Sequence, residues 1–165
     1  MMIFHEGDTV MHWTYGLGRI VNLEERALFG SKNLYYAVQV GELTVWVPAD
    51  AKLESRLRLP MSSDEFKRLL PILSGPCDPL PEDRNERRLH LHKLLKDGRA
   101  ESLFHIIRDL SAYQNKKSLN DNDQLFLKQA HAILLGEWSF VLSLTPIQAE
   151  REMYHLLTGP TETEE

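Results

Sequence analysis

Seven histidines and one cysteine are the side chains from which metal or acid–base chemistry would have to be built in this 165-residue chain. His90 and His92 lie two apart in a segment of helical period, so they project roughly 200° apart and cannot share a metal, unlike an i, i+4 pair. His105, His131 and His155 stand singly on amphipathic segments, where a histidine at the surface or core edge is the ordinary outcome. Glu24-Glu25 and Asp121 with Asp123 are acidic clusters that strand ends and helix caps explain. Cys77 sits between Pro76 and Asp78 with no sequence-local base, so it reads as an inert thiol that cannot close an internal disulfide. No Gly-rich phosphate loop, nucleophile elbow or paired-cysteine metal motif occurs. The chain therefore reads as a non-enzyme with no cofactor, no metal and no small-molecule substrate.

Residues suited to binding are more prominent. Trp13, Tyr15, Tyr35, Tyr36 and Trp46 crowd the first third of the chain. Strict alternation in LTVWVP (43–48) turns Val45 and Val47 to one side and Thr44 and Trp46 to the other. An outward Trp46 is either an interface anchor or a cover for the edge of the fold or for a second domain. A second group, Arg84, Arg87, Arg88, His90 and Lys93, opens a helical segment. Arg84, Arg88 and, one turn on, His92 or Lys93 recur at helical spacing as a basic stripe. Glu82, Asp83 and Glu86 are interleaved with it, and the same pattern also describes a salt-bridged solvent face.

The elements that must position these groups change character near residue 60. Before it, Asp8–His12, Gly18–Ala27, Leu34–Val40 and Leu43–Val47 read as strands, separated by turn residues at 30–33 and by Gly41-Glu42, a two-residue hairpin turn of type II′. The Tyr15-Gly16-Leu17-Gly18 kink gives the layout of a small, strongly bent β-barrel, followed by a short extended return over 53–59. From Ser62 the period becomes 3.6. Ser62 with Glu65 is a capping box, and the apolar face of Phe66, Leu69, Leu70 and Leu73 runs to Gly75-Pro76. GPCDPLP (75–81) is a linker or hinge, because proline removes donors and blocks helix continuation. Helices follow over 82–96, 99–114, 120–144 and 146–157. The third is capped by Asn120 or Asp121, packs through Leu125, Leu127, Ala130, Ile133, Leu134 and Leu135, and carries a possible break at Gly136. Thr145 caps the last. The expected architecture is α+β: a β domain over 1–60, a connecting helix and Pro-rich linker over 61–81, a helical bundle over 82–157, and a disordered acidic tail over 158–165.

Composition narrows the class. Apolar residues make up 42% and charged residues 26%, ordinary for a folded protein. No stretch approaches the roughly 18 consecutive apolar residues of a membrane helix. The N-terminus lacks a basic-then-apolar signal pattern, so a cytoplasmic location without membrane attachment is expected. The net charge of −5 argues against unaided DNA binding. Residues 61–115 hold nine Lys/Arg against nine Asp/Glu, whereas 116–165 hold four against eight, so a nucleic-acid contact belongs in the middle segment. A weak contact of that kind suffices when a partner delivers the chain to DNA.

GDTVMHWTYGLGRIV (7–21), YYAVQV (35–40) and LTVWVP (43–48), with IIRDL (106–110) and AHAILLGE (130–137), resemble the CarD/CdnL family of bacterial transcription regulators. The N-terminal motif is also similar to the polymerase-interacting domain of transcription-repair coupling factors, whose motor this chain lacks. The resemblance implies a Tudor-like barrel that binds the β subunit of RNA polymerase by pairing an exposed strand with it. It also implies a helical domain that touches promoter DNA at the upstream edge of the transcription bubble. Carried over residue by residue, it assigns polymerase contact to Arg26 and Trp46, and DNA-backbone contact to Arg87, Arg88 and Lys128. Asn85 falls where relatives place an aromatic wedge, and an amide cannot stack on an unpaired base as an aromatic does. The alternative is a protein–protein adaptor that binds polymerase or another partner without DNA contact.

Overall fold

The computed structural model describes residues 3–28 and 30–159, and the chain forms two compact units, Met1–Pro60 and Met61–Glu165. The first unit contains β1 (Thr9–His12), β2 (Gly16–Leu28), β3 (Ser31–Val40), β4 (Leu43–Pro48), the single turn α1 (Leu53–Arg56) and β5 (Leu57–Arg58). All pairings are antiparallel, in the order β4-β3-β2-β1-β5. The closed barrel expected from the turns is therefore corrected to an open five-stranded sheet. Most of the expected extended return is taken up by α1, leaving a two-residue strand on β1, and among the described residues no strand pairing closes the sheet against β4.

The β3–β4 turn has the expected form. Val40 opposes Leu43, Gly41 has φ 61° and Glu42 does not take a positive φ, the pattern of a type II′ turn. The β2–β3 turn is tighter than the 30–33 stretch suggested, because Leu28 already pairs with Ser31. Inward residues Ile20, Tyr36, Val38 and Val47 pack with Phe4, Val10, Leu53 and Leu57 as the core. The Tyr36 hydroxyl accepts the Phe4 N–H at 3.1 Å, which satisfies a buried polar group.

Two details shape β2. Ile20 opposes Val38 while Asn22 opposes Ala37, so Val21 is the extra residue of a β-bulge. At the β1–β2 turn, His12 is buried and its Nδ1 accepts the N–H groups of Thr14 (3.0 Å) and Tyr15 (3.2 Å). The ring proton consequently sits on Nε2. Burial pushes the pKa of His12 down to about 4.

The second unit holds α2 (Ser63–Leu69), α3 (Pro71–Ser74), α4 (Arg84–Lys96), α5 (Ala100–Gln114), α6 (Asp121–Leu142) and α7 (Pro146–Thr158). Side-chain caps set several starts: Ser62 with Glu65, Asp83, Asn120 with Asp123, and Thr145 with Gln148. The helix expected to run on from Ser62 divides at Leu70, since Pro71 has no N–H to continue the ladder. Phe66, Phe104 and Trp138 form an aromatic seam with centroids 5.5 Å apart at both contacts. Burying a side chain of that kind contributes about 2–3 kcal/mol.

Two further expectations are corrected here. Gly136 does not break α6, which runs uninterrupted. Leu125, expected in the core, is 66% exposed, because the inward position in the first turns of α6 belongs to Asp123. The Pro-rich 75–81 segment, expected as a linker or hinge, carries neither helix nor strand and is tied to α5: Leu80 is buried, the Asp78 N–H donates to Asp109 Oδ1 at 3.0 Å, and Arg108 Nη2 bonds Asp78 Oδ2 at 3.2 Å. Thr158, placed in the tail by sequence, ends α7, and residues 160–165 of that expected tail lie outside the described residues. Among the described residues no single helix is long and apolar enough to cross a membrane.

A Cβ on Gly18 would lie 2.8 Å from Val40 Cγ2 and 2.9 Å from the main-chain oxygen of Gln39. Gly18→Ala is expected to destabilise the first unit by about 1–3 kcal/mol, measured as a lower urea midpoint. His12 supplies a pH test. Its folded pKa lies below the ordinary 6.5, so the unfolded chain binds the extra proton. The stabilisation is complete above pH 6.5 and is lost as pH falls towards 4, up to about 3 kcal/mol. Urea unfolding at pH 7 and pH 4.5 should show a smaller difference for His12→Asn, whose amide oxygen accepts the same N–H groups without titrating.

Candidate functional site

In the first unit, the structure brings the two expected partner-contact residues together. Tyr36 and Val38 face the core, so Tyr35 and Ala37 face the opposite side of β3. Glu24 pairs with Tyr35, Arg26 with Asn33 and Trp46 with Ala37, which places Glu24, Arg26 and Trp46 on that same outer face. The Arg26 guanidinium lies 4.2 Å from the centroid of the Trp46 ring and its Nη1 is 3.2 Å from Glu24 Oε1. Cation–π contact and ion pair hold the guanidinium over the indole, and both side chains remain half-exposed. Trp46 is thus a surface aromatic with a bound cation rather than a core residue.

The backbone beside this pair is open. As the edge strand, β4 pairs on one side only. Pairing alternates along an antiparallel ladder, and Val40–Leu43 flanks the two-residue turn while Ala49 donates to the Leu34 oxygen at 2.9 Å. Leu43, Val45 and Val47 therefore bond β3, and the N–H and C=O groups of Thr44 and Trp46 face the open edge. Pro48 ends that edge without a donor.

In the second unit, the arginine pair expected on DNA is split between the interior and the surface. Arg87 is 4% exposed. Its Nε and Nη2 bond the Asp123 carboxylate at 2.9–3.2 Å. Nη1 reaches the carbonyls of Pro81 and Glu82 at 3.1 Å and the Tyr113 hydroxyl at 3.3 Å, and the guanidinium stands 4.9 Å from the Tyr113 centroid. The hydrogen-bonded Asp123 carboxylate pushes the pKa of Arg87 up, holding it charged. These bonds engage all three guanidinium nitrogens inside the fold, so Arg87 is a structural tie.

Arg88, one residue on, is exposed. With Leu89 and His92 of α4 and Asn122, Leu125, Phe126 and Gln129 of α6, it lines a groove of about 250 Å³. Leu89 and Leu125 are 63% and 66% exposed. Lys128 is exposed on α6, one turn beyond Leu125 but outside the groove lining, and Asn85 is exposed one turn before Leu89. The result is a mixed groove, with apolar surface from Leu89, Leu125 and Phe126 and polar groups from Arg88, His92, Asn122 and Gln129. Sequence reading missed Leu89 altogether and misplaced Leu125. The available signal was the spacing: Leu91 and Leu95 repeat at i, i+4 as one buried face, so Leu89, two residues before Leu91, must point away from it.

Among the described residues, no group of three or more His, Cys, Asp or Glu side chains is placed to hold a metal ion. Residues 4–61 match the CarD-like/TRCF RID domain, and residues 68–154 match the CarD C-terminal domain. YdeB of Bacillus subtilis (strain 168), named as a candidate transcription factor, is 25% identical over 149 residues, spanning 88% of this chain and 97% of YdeB.

Replacing Arg87 strands a buried carboxylate. Arg87→Ala is expected to cost about 3–5 kcal/mol, read from urea unfolding followed by the helical circular dichroism signal, whereas Arg87→Met with Asp123→Leu recovers much of the loss. Equal destabilisation by the single and double variants would contradict the structural tie.

Proposed function

Because the chain belongs to the CarD family of transcription regulators, we propose that it docks on the β subunit of RNA polymerase through the β4 edge and sets the α4–α6 face beside promoter DNA. The observation that carries this reading is the open edge at Thr44 and Trp46 with Arg26 stacked alongside. An added strand would gain main-chain hydrogen bonds from the edge and selectivity from the indole–guanidinium pair. Arg88 and Lys128 are the exposed cations that would meet phosphates, weakly and only once polymerase holds the chain there. Such a protein alters initiation by binding one state of the polymerase–promoter complex better than the others. Asn85 offers an amide at the expected wedge position, and the apolar surface on that side of α4 belongs to Leu89.

The adaptor reading is favoured by a separate observation. With Arg87 committed to Asp123, the α4–α6 groove presents two exposed leucines beside Arg88, a surface also suited to a protein partner.

Binding to core RNA polymerase separates these readings. Trp46→Ala is expected to weaken it about tenfold or more. Thr44→Pro should do the same while leaving the fold intact, since the lost N–H faces the open edge. Unchanged binding of both variants would sink the docking proposal. If docking holds, Arg88→Glu should reduce the salt dependence of promoter-complex stability; an unaltered salt slope leaves the adaptor reading.

A further inference from the structure

Arg26 and Trp46 meet although the strand ladder does not make them neighbours. Arg26 opposes Asn33 on β3, whereas Trp46 opposes Ala37. Their roots are therefore two strands apart across the sheet, about 10 Å, and four residues apart along it, about 13 Å. The 4.2 Å approach of the guanidinium to the ring centroid requires both side chains to lie diagonally over the outer face. The row between them consists of Glu24, Tyr35 and Pro48 on three successive strands. Tyr35 is 6% exposed although it faces outward, so the middle of that face is covered.

An arginine side chain has many rotamers, and most of them reach into solvent. What favours the diagonal one is Glu24. It stands in the intermediate row, two residues before Arg26 on the same face, with Oε1 3.2 Å from Arg26 Nη1. Both side chains are more than a third exposed, so this ion pair adds little to the stability of the fold. Its consequence is the direction in which the guanidinium points.

We propose that Glu24 is a positioning residue of the docking site, holding Arg26 over Trp46 in the free chain so that polymerase meets a preformed indole–guanidinium surface. The inference rests on the docking reading above and adds a residue that acts on the partner only through Arg26. A side chain ordered before binding loses less rotamer freedom when the complex forms, which raises affinity without a new contact.

Two measurements on the full chain test this. In the free protein, the indole N–H resonance of Trp46, assigned by its loss in Trp46→Phe, reports the guanidinium above the ring. Glu24→Ala should move it towards its position in Arg26→Met. Glu24→Gln, whose amide oxygen still accepts the Nη1 N–H, should move it much less, with the Trp13 and Trp138 resonances unchanged in both. With core RNA polymerase, Glu24→Ala should weaken binding about three- to tenfold, the effect of one long side chain no longer ordered beforehand. Glu24→Gln should retain most of the affinity, and Glu24→Ala should have no further effect in an Arg26→Met background. An unmoved Trp46 resonance in Glu24→Ala overturns the inference, as does wild-type polymerase binding by that variant while Trp46→Ala binds weakly. A full Glu24→Ala effect in the Arg26→Met background also overturns it, because Glu24 would then touch polymerase directly. Unchanged binding by Trp46→Ala marks failure of the docking reading itself, and the role of Glu24 falls with it.

Discussion

A guanidinium cannot be buried unless its donors are met, and this requirement organises the second unit. Arg87 bonds Asp123 at the start of α6, Tyr113 near the end of α5 and the carbonyls of Pro81 and Glu82 just before α4. Four chain segments thereby share one charge. Asp123 is simultaneously the third residue of the α6 capping box, so the ion pair and the helix start support each other. A buried ion pair contributes little net stability relative to apolar packing, but an unpaired member is costly, and that asymmetry rewards a single arrangement of these segments. With Arg87 fixed inward, α4 has one rotation about its axis, which leaves Arg88 and Leu89 outward.

A comparable constraint acts on the sheet through Val21. Without the bulge, strict alternation would put Ile20 and Arg26 on the same face, and the arginine would lie on the core side. The extra residue reverses the phase of the outer half of β2, so Ile20 packs inward while Glu24 and Arg26 emerge beside Trp46. The surface pair is therefore a product of register as much as of residue type.

Much of the local structure was legible because it rests on short-range chemistry. The caps at Ser62, Asn120 and Thr145, the Gly41-Glu42 turn and the outward side of Trp46 each depend on a few neighbouring residues. The misreadings share a different cause. Leu125 has the right residue type for a core, but the inward position was claimed by Asp123 because a partner 36 residues earlier needed a carboxylate. The Pro-rich stretch reads as a linker or hinge from its prolines, and its ties to Asp109 and Arg108, about 30 residues on, could not be read from them. Arg87 and Arg88 are alike in sequence and opposite in fate for the same reason.

By itself, then, the sequence determined the α+β order, the helix starts and the outward side of Trp46, whereas Arg26 stood out only through the family resemblance. The first three follow from period or capping, which operate over a few residues. Only the tertiary structure decided that the sheet stays open, that Arg26 meets Trp46, and that of two adjacent arginines one becomes a strut and the other a surface cation. Those outcomes depend on which distant groups satisfy a buried charge or an unpaired strand, and a helical or strand period carries no information about partners thirty residues away.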